Sequence, residues 1–328
     1  MSRNSPKGVI LTEGGEGVGW GHINRCQAIS LALRESNVDA EFLVDFKGEL
    51  PDEPFFKVSE WFQMDIKDYD FIIIDSYLAD ERYYRKLSEN NKVIAAIDDN
   101  HRIEYPQGII INGLIGGIEA DYSLQKMNYL VGEKFIPLRN PFWTNLKKSI
   151  NNQINNVLIT FGGADPHGLT LKTLEILRKK NCAKHVVIGP SFQNKDILQK
   201  KYNENTFYYN SLSAQEMKEL MYKSDISISA AGQTTYELAA TGTPSIFIGV
   251  ADNQKTNIKN WVKSGFVRRN IWFNEHNLQE QIIHDFDELQ DKSVREILSS
   301  LGQQLVDGGG ATRISEYILN SIKNKEET

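Results

Sequence analysis

The sequence predicts an α/β protein made of two parallel-sheet halves. Three observations predict it. Short apolar, β-rich runs alternate with segments of helical spacing, as in a parallel sheet covered on both faces. That rhythm stops at the polar, Asn/Lys-rich stretch 144–156 and then restarts. The 328 residues fit two domains, at roughly 100–200 residues each.

Val9–Leu11 reads as the first strand. A helix follows over His22–Glu35, with Ile23, Cys26, Ile29 and Leu33 at helical spacing. Glu41–Val44 is the next strand, and Phe71–Ile74 the one after, ending in Asp75. The segment 80–89 (DERYYRKLSE) predicts a helix, and 92–98 (KVIAAID) and 108–112 (GIIIN) predict strands. A first domain over 1–140, a linker at 141–156 and a second domain over 157–328 follow from this pattern. In the second half, strands are expected at 156–163 (NVLITFGG), 185–190 (HVVIGP), 207–210 (FYYN), 225–232 (DISISAAG) and 244–249 (PSIFIG), with helices between them. One of these helices is 213–224 (SAQEMKELMYKS). A last helix, Thr312–Lys323, follows the glycines of 308–310, and its return onto the first domain is left open.

Composition narrows the function. A net charge of -6 argues against non-specific nucleic-acid binding, which needs a basic face. Cys26 and Cys182 lie far apart with no CxxC, so neither a disulfide framework nor a zinc ribbon follows. The N-terminus is polar and the apolar run after it short, unlike a signal peptide or a membrane span. A soluble, cytoplasmic protein is expected, with no nucleic acid and no integral membrane segment. The oligomeric state is left open, a monomer included.

In open α/β sheets, ligands bind beyond the carboxyl ends of the strands. Four loops there are unusual. The first is 13–26, EGGEGVGWGHINRC. Its glycines permit positive φ and close approach of a ligand. Walker A fails for want of Lys-Ser/Thr, and G-x-G-x-x-G fails because Trp20 or His22 stands where glycine is required. The spacing puts His22 at the start of a helix, whose positive end favours a neutral imidazole. A neutral histidine can act as a general base; the plainer alternative is that it caps or packs. In the second loop, Asp75 or Ser76 is expected to cap the next helix, and Tyr77 to be able to meet substrate or water. Asp98 and Asp99 end the following strand.

The third loop, Gly162-Gly163 before a helix, reads as a second anion site, with Asp165 as a cap and His167 facing solvent. In the fourth, Gly232, Gln233, Thr234 and Thr235 open a helix and offer N–H groups and hydroxyls to a phosphate. Glu237 lies within reach of ribose hydroxyls, and Asp252, Asn253 and Gln254 follow the next strand. Two such loops in one half, with an acid one turn into a helix, predict a nucleotide-diphosphate pocket.

The motifs 19–26 (GWGHINRC), 161–166 (FGGADP), 229–246 (SAAGQTTYELAATGTPSI) and 251–254 (ADNQ), in order and closing at 306–314 (VDGGGATRI), resemble the PseG/SpsG family. Its best-understood members are UDP-2,4-diacetamido-2,4,6-trideoxy-β-L-altropyranose hydrolases of pseudaminic acid biosynthesis. The resemblance implies a MurG-like GT-B architecture, with two Rossmann-like domains facing a central cleft. It implies a nucleotide-sugar hydrolase that releases UDP by water attack at the anomeric carbon. On this pattern His22 is the catalytic base, with Tyr77 and Asn253 as active-site partners. The nucleotide falls to Gly162, Gly163, Gly232, Gln233, Thr234, Thr235 and Glu237, and the rest of the substrate to Gly19, Gly21, Arg25, Asp252 and Gln254. The partner is the UDP-sugar itself; neither metal nor cofactor is implied. The chain departs from the family pattern at Leu11–Gly15, which lacks an aspartate, at Pro141-Phe142, and at the Leu after Tyr77. These departures lie in the half that reads the sugar, so the sugar stays open. A GT-B glycosyltransferase, in which His22 deprotonates an acceptor hydroxyl, is the alternative. A binding module that needs no His22 is a third reading.

Overall fold

The computed structural model describes residues 5–50, 55–117, 127–189, 191–192 and 195–326. The chain divides into two units, 1–140 with 308–328, and 141–307.

The first unit runs β1 (Gly8–Gly15), α1 (Gly21–Glu35), β2 (Ala40–Lys47), β3 (Lys57–Val58), β4 (Phe71–Asp75), α2 (Glu81–Asn90), β5 (Val93–Ile97), β6 (Ile109–Asn112) and β7 (Asn128–Val131). The strands form one parallel sheet in the order β3-β2-β1-β4-β5-β6-β7. Alternate residues of a strand face opposite sides. Ile10 and Ile73 therefore join Ile23, Cys26, Ile29 and Leu33 of α1, while Val9, Leu11, Ile72 and Ile74 pack with Trp61, Tyr84 and Leu87 on the other face. Both faces are covered, so these strands read as continuous apolar runs. Burial of each such side chain is worth about 1.5–3 kcal/mol. The closing helix also belongs here: Ile314, Ile318 and Ile322 complete the α1 side of the core.

The second unit runs β8 (Asn156–Thr160), α3 (Leu169–Ile176), β9 (Ala183–Ile188), α4 (Lys195–Lys201), β10 (Thr206–Asn210), α5 (Ala214–Lys223), β11 (Ile226–Ala230), α6 (Thr234–Ala240), β12 (Ser245–Gly249), α7 (Lys255–Ser264), β13 (Ile271–Trp272), α8 (Leu278–Glu288) and α9 (Lys292–Leu305); α10 (Gly310–Glu326) returns to the first unit. Its parallel sheet has the order β10-β9-β8-β11-β12-β13.

In each sheet the strand order reverses once, between β1 and β4 and between β8 and β11. That is the switch point where open α/β sheets take their ligands. The loops singled out from the sequence fall at these two places.

Several elements differ from expectation. The segment 141–156 is packed within the second unit rather than acting as a free linker. Lys148 Nζ donates to Met221 O at 2.7 Å and Tyr222 O at 2.9 Å, and Asp225 accepts from the backbone N–H of Asn155 and Asn156, each at 2.8 Å. The last helix begins two residues before Thr312 and runs three past Lys323. The short strands β3, β7 and β13 have too little length to stand out in the sequence, while the amphipathic helices α7, α8 and α9 lie outside the segments read from it. The strand expected to reach Pro190 ends at Ile188; Pro190 lies outside the described residues.

Candidate active site

The loop after β1 is a closed turn. Gly15 N donates to Gly19 O at 3.0 Å and Gly19 N to Gly15 O at 2.7 Å. Gly15 has φ +96°, and a Cβ there would lie 1.9 Å from Lys47 O, so only glycine fits. Trp20 then caps α1 without a side-chain hydrogen bond, and Gly21 opens the helix. His22 and Arg25 follow three residues apart, on one face of α1. That face meets the end of β4.

There His22 Nδ1 lies 2.6 Å from Asp75 Oδ1. Arg25 binds the same carboxylate in a fork, through Nε to Oδ2 and through Nη2 to Oδ1, the latter at 2.7 Å. Arg25 Nη1 donates to Asp99 Oδ2 at 2.5 Å. Asp75 is fully buried and His22 keeps 7% exposure. Burial opposes ionisation of Asp75, but the positive charge of Arg25 and the partnership with His22 outweigh it, holding the carboxyl well below the usual carboxylate range. Burial likewise opposes charge on Arg25, and Asp75 and Asp99 overcome it. Asp75 is thus a fixed anion that accepts the Nδ1 proton of His22. Whenever the ring is neutral, the lone pair then sits on Nε2.

Tyr77 stands edge-on to His22, with ring centroids 4.7 Å apart and an interplanar angle of 84°. It is 41% exposed. Its turn is tied down from several sides. Glu13, at the end of β1, accepts from Ser76 Oγ at 2.6 Å and from Tyr77 N at 2.8 Å. Thr12 Oγ1 donates to Asp75 O at 2.8 Å.

One expectation in this unit is corrected. Neither Asp75 nor Ser76 caps α2; Asp80 does, accepting from Tyr83 N at 2.9 Å. Asp75 is needed by Arg25 and His22 instead. Arg25, 6% exposed, directs three of its five N–H groups to Asp75 and Asp99, and so holds the carboxylate that His22 also meets. Asp98 and Asp99 do not share a site. Asp98 accepts from Asn100 N, Arg102 N and Tyr105 Oη at 2.9, 2.7 and 2.7 Å, while Asp99 turns to Arg25. Gly19, with φ +85° and nothing within 4 Å of a Cβ, leaves the loop's outer side open.

In the second unit, Gly232 follows β11, and a Cβ on it would lie 3.6 Å from Gln254 Nε2. Gln254 Oε1 in turn accepts from Val250 N at 2.9 Å. Gly232, Gln233 and Thr234 thereby adjoin the turn Asp252–Gln254, on which Asp252 and Asn253 are exposed. Asp252 pairs with Lys255 at 2.7 Å. Glu237, 6% exposed, sits in the first turn of α6.

Three expectations fail here. Thr235 is fully buried; its hydroxyl donates to Gly232 O at 2.7 Å and accepts from Trp261 Nε1 at 3.0 Å, so it shapes the turn rather than meeting a phosphate. The start of α3 is no open anion site, because Asp165 accepts from Leu169 N and Thr170 N, each at 2.8 Å. Gly162 and Gly163 follow the carboxyl end of β8, with nothing within 4 Å of a Cβ on either. His167 is half-buried rather than turned fully to solvent: it stacks on Phe273 with centroids 3.6 Å apart, and its Nε2 lies 3.0 Å from Val250 O.

Sequence reading missed Asp75 and Glu13 as site members. The signal for Asp75 was present: His22 and Arg25 share a helix face, and Asp75 ends the strand beside β1.

Among the described residues no helix is long and apolar enough to cross a membrane. Residues 157–300 match the Glycosyltransferase family 28 C-terminal domain. The chain is 29% identical, over 76% of its length, to a Helicobacter pylori protein named pseudaminic acid cytidylyltransferase and UDP-2,4-diacetamido-2,4,6-trideoxy-beta-L-altropyranose hydrolase. It spans about half of that relative, 46% of its length. It is 22% identical to the spore coat polysaccharide biosynthesis protein SpsG of Bacillus subtilis, over 97% of this chain and 98% of that one. Among solved structures, MurG of Acinetobacter baumannii superposes with a TM-score of 0.66 over 95% of this chain and 99% of that one, at 13% identity, which speaks to the fold alone. With a family 28 C-terminal domain in its second half and such relatives along its length, the chain is similar to the PseG/SpsG proteins and takes a GT-B fold.

Proposed function

We propose that the chain is a nucleotide-sugar hydrolase that releases UDP from a UDP-linked hexose of the diacetamido-trideoxy kind, in the making of a nonulosonic acid or a surface polysaccharide. The observation that carries this reading is the anchored pair of His22 and Asp75. Asp75 holds the Nδ1–H tautomer, so Nε2 takes a proton from water. The water oxygen bonds to the anomeric carbon, the bond from that carbon to the phosphate oxygen breaks, and UDP leaves with the electron pair. The imidazolium formed at His22 is stabilised by the Asp75 anion next to it. Tyr77 and Asn253 contact the substrate. Gly232, Gln233, Thr234 and the carboxyl end of β8 take the diphosphate, and Glu237 the ribose. UDP is a stable leaving anion, so the reaction asks for little acid catalysis and no resident metal.

The second reading is a glycosyltransferase, favoured by the family 28 domain and the MurG-like fold. The same base would then act on an acceptor hydroxyl. A screen of UDP-, CDP- and GDP-sugars for nucleotide diphosphate release, with and without acceptors, separates the two. Release without an acceptor supports hydrolysis. Release only with an acceptor sinks it, and tight UDP binding with no turnover of any sugar leaves a binding module.

A further inference from the structure

Glu13 is 3% exposed, yet its carboxylate holds a turn whose tip lies on the surface. Burying a carboxylate costs free energy unless hydrogen bonds compensate. Here two do, and both reach the Tyr77 turn, from Ser76 Oγ at 2.6 Å and Tyr77 N at 2.8 Å. The other side of the turn is held by Arg102, whose Nη2 donates to Ser76 O at 3.2 Å and to Ala79 O at 2.5 Å. Ser76 Oγ meanwhile accepts from Leu78 N at 2.9 Å and Ala79 N at 3.2 Å. Between these clamps the tip presents two apolar side chains to solvent, Tyr77 at 41% and Leu78 at 57% exposure. Folding gains little from fixing an exposed apolar tip so fully. Fixing it matters if Tyr77 must keep its edge-on place against His22.

We infer that Glu13 is a positioning residue of the active site: with Arg102 it sets the Tyr77 turn, and through it how the glycosyl part of the substrate is held over His22. This rests on the hydrolase reading for its kinetic consequence but not for its geometry. The carboxylate is specifically required. Ser76 Oγ already accepts two N–H groups and gives its proton to Glu13, while Tyr77 N–H is a second donor. A glutamine at 13 must turn its NH2 group toward one of these two, so Glu13→Gln breaks one tether whichever way the amide lies.

The test measures three quantities on Glu13→Gln and on the milder Ser76→Ala, which keeps Glu13 in place should the first variant fold poorly. They are UDP affinity by calorimetry, kcat and KM on the nucleotide sugar turned over best, and the His22 ring resonance in a carbon-13 histidine-labelled protein, assigned with His22→Asn. The expected result is UDP affinity within about twofold of wild type, kcat/KM lowered about tenfold or more, and a shifted His22 resonance as the Tyr77 ring moves. Ser76→Ala should shift both the same way by less. Unchanged kcat/KM together with an unmoved His22 resonance overturns the inference, as does a loss confined to UDP affinity. Should the wild-type protein turn over no nucleotide sugar, the hydrolase reading fails, and the His22 resonance alone decides the role of Glu13.

Discussion

His22 Nδ1 and Asp75 Oδ1 are 2.6 Å apart although 53 residues separate them in the chain. The contact forms because β1 and β4 are neighbours in the sheet, and α1 returns its first turn over the end of β4. Asp75→Asn keeps the shape but loses the fixed anion. Turnover should fall by about 10³- to 10⁴-fold, the upper figure being that seen when an orienting carboxylate of this kind is neutralised. Arg25 would also keep a buried charge without its main partner, so stability should fall by about 3 kcal/mol. Steady-state kinetics and thermal unfolding of the one variant check both.

His22→Asn removes the base and leaves the second unit untouched. Turnover should drop by about 10³-fold or more, with UDP affinity within about twofold of wild type. Calorimetry beside a UDP-release assay measures the pair. A variant that keeps full activity would show that His22 only packs.

The Gly15 turn should be intolerant where Gly17 is not. Gly15→Ala would place a Cβ 1.9 Å from Lys47 O at φ +96°, so the loop must open. A loss of more than about 2 kcal/mol is expected, together with weakened catalysis. Gly17 has φ +80° but nothing within 4 Å of a Cβ. Gly17→Ala should cost only the backbone strain, about 1 kcal/mol. Denaturant unfolding of the two variants compares them directly.

Two buried bases in the second unit should make stability depend on pH. Burial, helped by the charge of Lys223, lowers the His185 imidazole to about 4. The unfolded chain then binds a proton that the folded chain refuses, so stability should fall as pH drops from about 6.5 to about 4. Burial lowers the Lys148 ammonium to about 7, against the opposing pull of Asp225. By the same sign, stability contributed at this site should rise as pH climbs from about 7 to about 10.5. Unfolding midpoints across both windows, compared with His185→Asn and Lys148→Met, should show each slope flattened in its own variant.

What the sequence made legible was local. The apolar runs, the glycine turn after β1 and His22 at the head of α1 can all be read within a few residues. The same holds for Gly232–Thr234 and the turn Asp252–Gln254. What escaped was set by strand neighbours. Asp75 reads as a helix cap because a polar residue after a strand commonly is one; only the β1–β4 pairing shows Arg25 and His22 waiting for it. Thr235 and Thr234 look alike in sequence, yet the helix turns one toward Trp261. Glu13 was visible as a departure from the family pattern, but its grip on Ser76 and Tyr77 depends on the same strand pairing.

The central claim is that water, activated by His22, attacks the anomeric carbon. The most direct measurement is turnover of the best nucleotide sugar in water enriched in oxygen-18, without an acceptor, with the products weighed by mass spectrometry. The expected result is one heavy oxygen in the released sugar and none in UDP. Heavy oxygen in UDP would place the attack at phosphorus, and no release until an acceptor is supplied would make the protein a transferase; either contradicts the claim.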